Sequence, residues 1–553
     1  MLKSPLRLAA LLTLAAPAAA PAAGLEGALA SVNPKALGAH IRFLADDLLE
    51  GRDTGSRGHR IAARYVAAQL EAAGLDPAGD GGSFEQRVPF RSAQLLEEQC
   101  LFRLTRAGRT RELTYGEEYL LQPQFFLEDA RVDAPVVFAG YGIVAPGLGQ
   151  DDYAGVDVKG KIVAVLYGAP ARFPSEQRAH YGWPNLKQTT AAARGAVGLL
   201  ILRRPEAEQH FPWAKARAGA RHAALRVTDP SGTPQGVVPE LRLTGTLNDG
   251  AVQALFEGAP RSFADALKEV DESRGKPFEL SVRAEVRTVS RMGSLEDVNV
   301  VARLPGSAPR LRDEHVVLSA HLDHLGIGEP VDGDAIYNGA YDNASGVAAL
   351  LEAARVLAAA KPRPRRSVLF LAVTGEERGL LGSDYFARNP TVPAASLVAD
   401  VNLDGILMLY PPRDVVAYGA EHSSLGRVVQ RAAAAAGLTL SPDPWPEQGL
   451  FVRSDQYSFV RRGIPSVFLV PGFTSADSKR DGSAIMREWL RTVYHTPKDD
   501  ASQPMDLDAG ARLVRANVAI AWLLANDDAR PAWNRGDFFG ETFGAAAKAS
   551  AEP

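Results

Sequence analysis

His315-Val-Val-Leu-Ser-Ala-His-Leu-Asp-His-Leu-Gly326 decides how this chain is read. The run His315 to Ala320 is short, apolar and rich in β-branched residues, as in a buried strand. His321 stands just past its end. The same construction recurs: Val298 to Leu304, Ser367 to Val373, Leu397 to Leu403 and Ile464 to Val470 are short apolar runs. Helical stretches fall between several of them. In the clearest, Ser345 to Ala360, Val347, Leu350, Leu351, Ala354 and Leu357 share one face. This alternation predicts an α/β fold with a mostly parallel mixed sheet covered by helices. Ligand sites in such sheets gather beyond the carboxyl ends of the strands.

The residues at those ends are metal-binding and acid–base types. A neutral His321 imidazole can bind zinc, and Asp323, two residues on, is placed to accept its other ring N–H. His324 reads as a wall residue or a second ligand. Asp342, in Asn338-Gly-Ala-Tyr-Asp-Asn-Ala-Ser-Gly346, reads either as a helix N-cap or as a carboxylate bridging two metals. Glu376 and Glu377 follow the run Ser367 to Val373 through Thr374-Gly375. Either they are helix-start carboxylates favoured by the dipole, or one binds metal while the other faces a water. Asp404 ends Asn402-Leu-Asp-Gly405, and His495 lies in Tyr494-His-Thr-Pro-Lys-Asp499. Asp499 could hold the His495 ring from behind, or belong to a surface turn.

Working outward, 553 residues suggest two or more domains. Hydrophobic and charged fractions of 46% and 23% are ordinary for globular proteins. A formal charge of -4 gives no electrostatic argument for nucleic acid. Lys3 and Arg7, the apolar stretch Leu8 to Ala16 and the small residues Ala18 to Ala23 read as a signal peptide over 1–23. The competing reading is an uncleaved anchor, but Pro17 interrupts a run shorter than the roughly 20 residues a span needs. The expectation is an exported protein, periplasmic or extracellular, with no membrane span after signal removal. Cys100 is the single cysteine, so no intrachain disulfide forms, and a buried structural thiol is expected.

Residues 33–76 carry helical spacing (Ile41, Leu44, Leu48, then Ala62, Val66, Leu70 and Ala73), with Gly74 ending the helix. From about 131 to 290 the pattern changes. Val136 to Ala139, Lys161 to Tyr167 and Val197 to Leu202 look like strands, with no His or Glu cluster at ligand spacing. This segment resembles the protease-associated domain inserted in several exopeptidases. Phe138-Ala-Gly-Tyr-Gly-Ile143, the Asp151-Asp-Tyr153 turn and Val158-Lys-Gly-Lys-Ile-Val163 carry the likeness. It implies a smaller β-rich α+β insertion, acting as a lid or as a stability module.

The motifs His321-Leu-Asp-His, Asp342-Asn-Ala-Ser-Gly, Glu376-Glu377, Asn402-Leu-Asp-Gly and Tyr494-His-Thr-Pro together resemble the co-catalytic zinc aminopeptidase family, of bacterial leucyl aminopeptidase type. Leu49-Glu-Gly-Arg-Asp-Thr-Gly-Ser-Arg57 matches the family's opening. The likeness covers about 40–130 and 296–525 and implies a zinc-exopeptidase (phosphorylase/hydrolase-like) fold. The expected divisions are 24–130 and 291–530 for the peptidase domain, 131–290 for the insertion and 531–553 for a tail. The resemblance implies two Zn2+ per chain: His321, Asp342 and Asp404 on one, and Asp342, Glu377 and His495 on the other. It also implies Glu376 as general base, a cis peptide at Asp342–Asn343, and peptide substrates with a free N-terminus. Arg453-Ser-Asp-Gln-Tyr-Ser-Phe459 resembles the family's substrate-pocket segment, where Asp455 would meet the amine and Tyr457 would support the oxyanion. A carboxypeptidase of the same fold would use the same ligands and could take Arg453 as its carboxylate clamp. A glutaminyl cyclase relative would keep one zinc, against the full ligand set here. A non-catalytic peptide-binding relative is the reading outside enzymology.

Overall fold

The computed structural model describes residues 20–210 and 212–544. The expected signal segment up to residue 19 and the end of the tail beyond 544 lie outside the described residues. Among the described residues, no helix is long and apolar enough to cross a membrane.

A large mixed sheet forms the body. In spatial order its strands are Ala224–Val227, Glu85–Leu95, the distal half of Phe278–Leu304, Ser367–Val373, His315–His321, Leu397–Asn402, Ser466–Pro471, Asp414–Tyr418 and Thr439–Ser441. The four from Ser367–Val373 to Ser466–Pro471 run parallel, and antiparallel strands flank them. His315–His321 and Ser367–Val373 are buried throughout, as their largely apolar character favours. Helices cover the sheet. Ser345–Ala359 buries nearly every side chain, and Leu507–Asn526 packs against it in the same core. Arg57–Ala72 begins at a Ser56 N-cap that accepts from the His59 amide, and it stops before Gly74 at φ 80°.

Phe278–Leu304 is one 27-residue strand. Its distal half belongs to the large sheet, while its first half pairs with Leu101–Arg106 and Asp129–Phe138 in a second sheet. Ile162–Leu166, Gly198–Leu202, Leu243–Leu247 and Tyr119–Leu121 complete that sheet. It has its own apolar core around Phe102, Phe138, Leu200 and Leu255. Leu101–Arg106 and Tyr119–Leu121 therefore pair outside the span 131–290, and both of its edges fall within continuous strands. Apolar periodicity does not record which sheet a strand joins. Cys100 is half-buried at the edge of this second core, less enclosed than expected.

Candidate active site

His321 closes the strand His315–His321, and Asp404 lies two residues past Leu397–Asn402 on the neighbouring parallel strand. Glu376 and Glu377 follow Ser367–Val373 on the other side. They sit in a turn; the next helix, Leu381–Arg388, starts four residues beyond Glu377. The helix-start reading of the pair is thus set aside. Asp342 occupies the irregular turn before Ser345–Ala359, and its peptide bond to Asn343 is cis. Asp342 does not cap that helix. The Asn343 side chain accepts from the Gly346 amide at 2.9 Å and donates to the Leu403 carbonyl at 2.9 Å.

The five expected ligands converge. Asp342 Oδ1 is 3.2 Å from His321 Nε2, which is also 3.2 Å from Asp404 Oδ1. Asp342 Oδ2 is 3.0 Å from His495 Nε2, which is 3.4 Å from Glu377 Oε2. The two oxygens of one carboxylate thus face two separate donor groups. Ligands about 2.1 Å from a tetrahedral zinc stand roughly 3.4 Å apart, so the spacing suits a metal in each group. Charge points the same way. Asp342, Glu377 and Asp404, with Glu376 beside them, crowd acidic groups into a largely buried space, which is costly without cations. These residues fit a two-ion centre.

Surrounding bonds fix the donors. His321 Nδ1 donates to the Asp323 backbone carbonyl at 3.1 Å, leaving Nε2 free for a cation. The Asp323 carboxylate has a different task from the one expected: it accepts from the Glu376 amide at 3.1 Å and the Glu377 amide at 3.3 Å. Asp499 also departs from expectation. It accepts from the Tyr341 and Asp342 amides at 2.9 and 3.1 Å, holding the Asp342 loop and not the His495 ring. Tyr494 stacks on that ring, 3.9 Å between centroids. His324 Nδ1 lies 2.7 Å from Glu377 Oε1, so the wall residue holds a ligand. Ser454 donates to Asp404 Oδ2 at 2.5 Å.

Behind these loops lies a residue that local pattern does not nominate. Arg52 is buried and donates to the carbonyls of Leu44, Leu322 (2.9 Å), Asn338 (2.6 Å) and Gly339 (3.0 Å). It ties the chain after His321 to the chain before Asp342. Its place in the matched opening motif is the signal that could have found it.

The neighbouring glutamates are driven apart in acidity. Burial, with the crowding of Glu377, Asp455 and Asp404, lifts Glu376 well above the usual carboxylate range against the pull of His321. Burial would lift Glu377 as well, but His495 and His324 overcome it and hold that carboxylate well below its usual range. A proton-accepting acid beside a permanently charged one is the arrangement acid–base chemistry uses. Glu376 keeps partial solvent exposure, so a water can reach it.

The substrate-pocket segment behaves differently. Asp455 is fully buried, and burial pushes its carboxyl up to about 7. It is no exposed hook for an amine. Tyr457 is fully buried too, and its hydroxyl meets His180 Nδ1 at 3.1 Å among Trp183, Phe539 and Phe543. That contact directs it to the second-sheet unit and away from an oxyanion. Arg453 is exposed, and its charge acts on Tyr494 beside His495.

The chain is similar to known proteins in sequence and in fold. A "Probable zinc metalloprotease" of Pyricularia oryzae is 29% identical over 300 residues, covering 49% of this chain and 58% of that protein. Another, of Pyrenophora tritici-repentis, is 27% identical over 265 residues, covering 42% and 58%. The chain therefore spans under two thirds of the length of these curated relatives. The solved structure of an aminopeptidase from Aneurinibacillus sp. strain AM-1 shares the fold, at 18% identity and TM-score 0.52 over 90% of this chain and 95% of that one. The model of Peptidase family M28 matches residues 299–521, the stretch holding His321, Asp342, Glu376, Glu377, Asp404 and His495. Over residues 299–521, less than half of its length, the chain is similar to Peptidase family M28.

Proposed function

We propose that the protein is an exported exopeptidase that removes the N-terminal residue of peptides with two zinc ions. One observation carries the reading: Asp342 turns Oδ1 to His321, which also meets Asp404, and Oδ2 to His495, which also meets Glu377. Zinc metalloprotease relatives and the family match support the cofactor. When bound, the ions would polarise the scissile carbonyl and lower the pKa of the attacking water toward about 7.

The remaining chemistry belongs to the chain. Glu376 takes the proton of the attacking water, and its raised proton affinity suits that task. The same carboxyl then returns the proton to the leaving amine. Asp323 holds both glutamate amides, so Glu376 and Glu377 keep their separate directions through the cycle. The substrate's free amine would sit against the acidic groups around Asp404 and Glu376, which favours an N-terminus over an internal bond.

The test compares free-amine peptides with N-blocked and C-blocked versions, with and without chelator. Chelator-sensitive cleavage of free-amine and C-blocked peptides alone is expected. Cleavage that requires a free carboxylate would favour the carboxypeptidase reading, for which exposed Arg453 beside Tyr494 is the clamp.

A further inference from the structure

A second group of ligand-type side chains lies where the unit of the second sheet meets the peptidase sheet. Glu176 is in the first turn of helix Ser175–Gly182. Glu421 and His422 are in the turn Ala420–His422, just past strand Asp414–Tyr418. One ligand atom from each lies within 4.8 Å of the others.

The histidine separates this group from an ordinary acidic patch. His422 is 4% exposed, and its Nδ1 lies 2.7 Å from Asp537 Oδ2. A carboxylate on one ring nitrogen leaves the other as a lone-pair donor, the arrangement found behind metal-bound imidazoles. Among the described residues Nε2 has no hydrogen-bond partner, and the Glu421 carboxylate stands 3.7 Å away. Glu176 and Glu421 both act electrostatically on this ring. Among the described residues, neither glutamate forms an ion pair with lysine or arginine. The imidazole of a buried histidine beside two carboxylates without a lysine or arginine partner is a mixed N/O donor set that suits Zn2+ or Mn2+.

We propose that Glu176, Glu421 and His422 bind a divalent transition-metal ion, separate from the candidate peptidase centre, with Asp537 orienting His422. The ion fastens the second-sheet unit to the peptidase sheet. The contacts around it give the fastening a consequence. Ser175 Oγ donates to the Pro446 carbonyl at 3.1 Å, and His180 meets the Tyr457 hydroxyl at 3.1 Å. Helix Ser175–Gly182 thus rests on the segment that carries Ser454, the residue bonded to Asp404. A cation at its first turn would hold that wall in place.

The experiment strips the full-length protein with chelator, reloads it with Zn2+, desalts it and measures zinc per chain. It is run on wild type, His422→Gln, the double variant Glu176→Gln/Glu421→Gln, and His495→Ala. The expected result is about one zinc fewer in both second-site variants than in wild type, with a smaller zinc-dependent rise in melting temperature. His495→Ala reads the peptidase centre independently. If that centre binds no zinc, His495→Ala matches wild type, while the second-site variants still differ from it. Wild-type zinc content in Glu176→Gln/Glu421→Gln, whose side chains are not needed for the core, overturns the proposal even where His422→Gln folds poorly.

Discussion

His324 Nδ1 stands 2.7 Å from Glu377 Oε1, and the opposite oxygen of that carboxylate faces His495 Nε2 at 3.4 Å. Glu377 is thereby held between two imidazoles, one oxygen anchored and the other presented. Outer partners of this kind are worth about 10- to 100-fold in metal affinity. His324→Ala should weaken zinc binding by that order while leaving all five ligands in place. Competition with a chromophoric chelator measures it; an unchanged dissociation constant would show that the Glu377 orientation comes from elsewhere.

Glu376 is the acidic neighbour left out of the donor groups. Glu376→Gln preserves size and removes proton acceptance, so zinc content should stay near wild type while kcat falls by about 100- to 10,000-fold. Near-normal turnover would refute the base role. Loss of zinc along with turnover would instead make Glu376 part of the metal's support.

Much of the site is legible in the sequence, and the remainder is hidden for physical reasons. Local pattern puts His321, Asp404 and the Glu376-Glu377 pair just past apolar runs, whereas Asp342 in its glycine-flanked loop and His495 beyond a helix join them as ligands only through the family resemblance. Side-chain direction does not come from spacing. Asp323 is spaced to hold the His321 ring, yet the backbone carbonyl does so and frees the carboxylate for two amides. Asp499 likewise serves the Asp342 loop. Tyr457 looks like an oxyanion donor only until the second-sheet unit is placed, because His180 lies 277 residues away in sequence. The long strand Phe278–Leu304 serves two sheets, which no apolar period announces.

Arg52 is nearly fully enclosed, and each of its bonds goes to a backbone carbonyl beside the site. Burial lowers its pKa only to about 10, so it keeps its charge at neutral pH. Removing the guanidinium would strand several buried acceptors, at about 1–3 kcal/mol each. Arg52→Met should therefore lower the denaturation midpoint strongly and reduce zinc content with it, because Leu322 and Gly339 flank the ligand loops. Urea titration with and without zinc checks this. A normal midpoint would mean that water satisfies those carbonyls as well as Arg52 does.

His180 gives the contact between the two sheets a dependence on pH. Burial lowers its pKa from 6.5 to about 4, with Tyr457, Tyr181, Phe538 and Phe543 as its ring neighbours. The docked form keeps the imidazole neutral, while an undocked form takes up a proton below 6.5. Between those values the undocked state binds more protons, so docking strengthens as pH rises and is lost as pH falls toward about 4. Amide exchange across helix Ser175–Gly182 should accelerate, relative to the intrinsic rate, as pH drops through this window. His180→Phe should flatten that dependence while keeping an aromatic ring in the cluster. An equally steep acid response in the variant would assign it to another group, with Glu176 and His422 at the same contact the first to be tested.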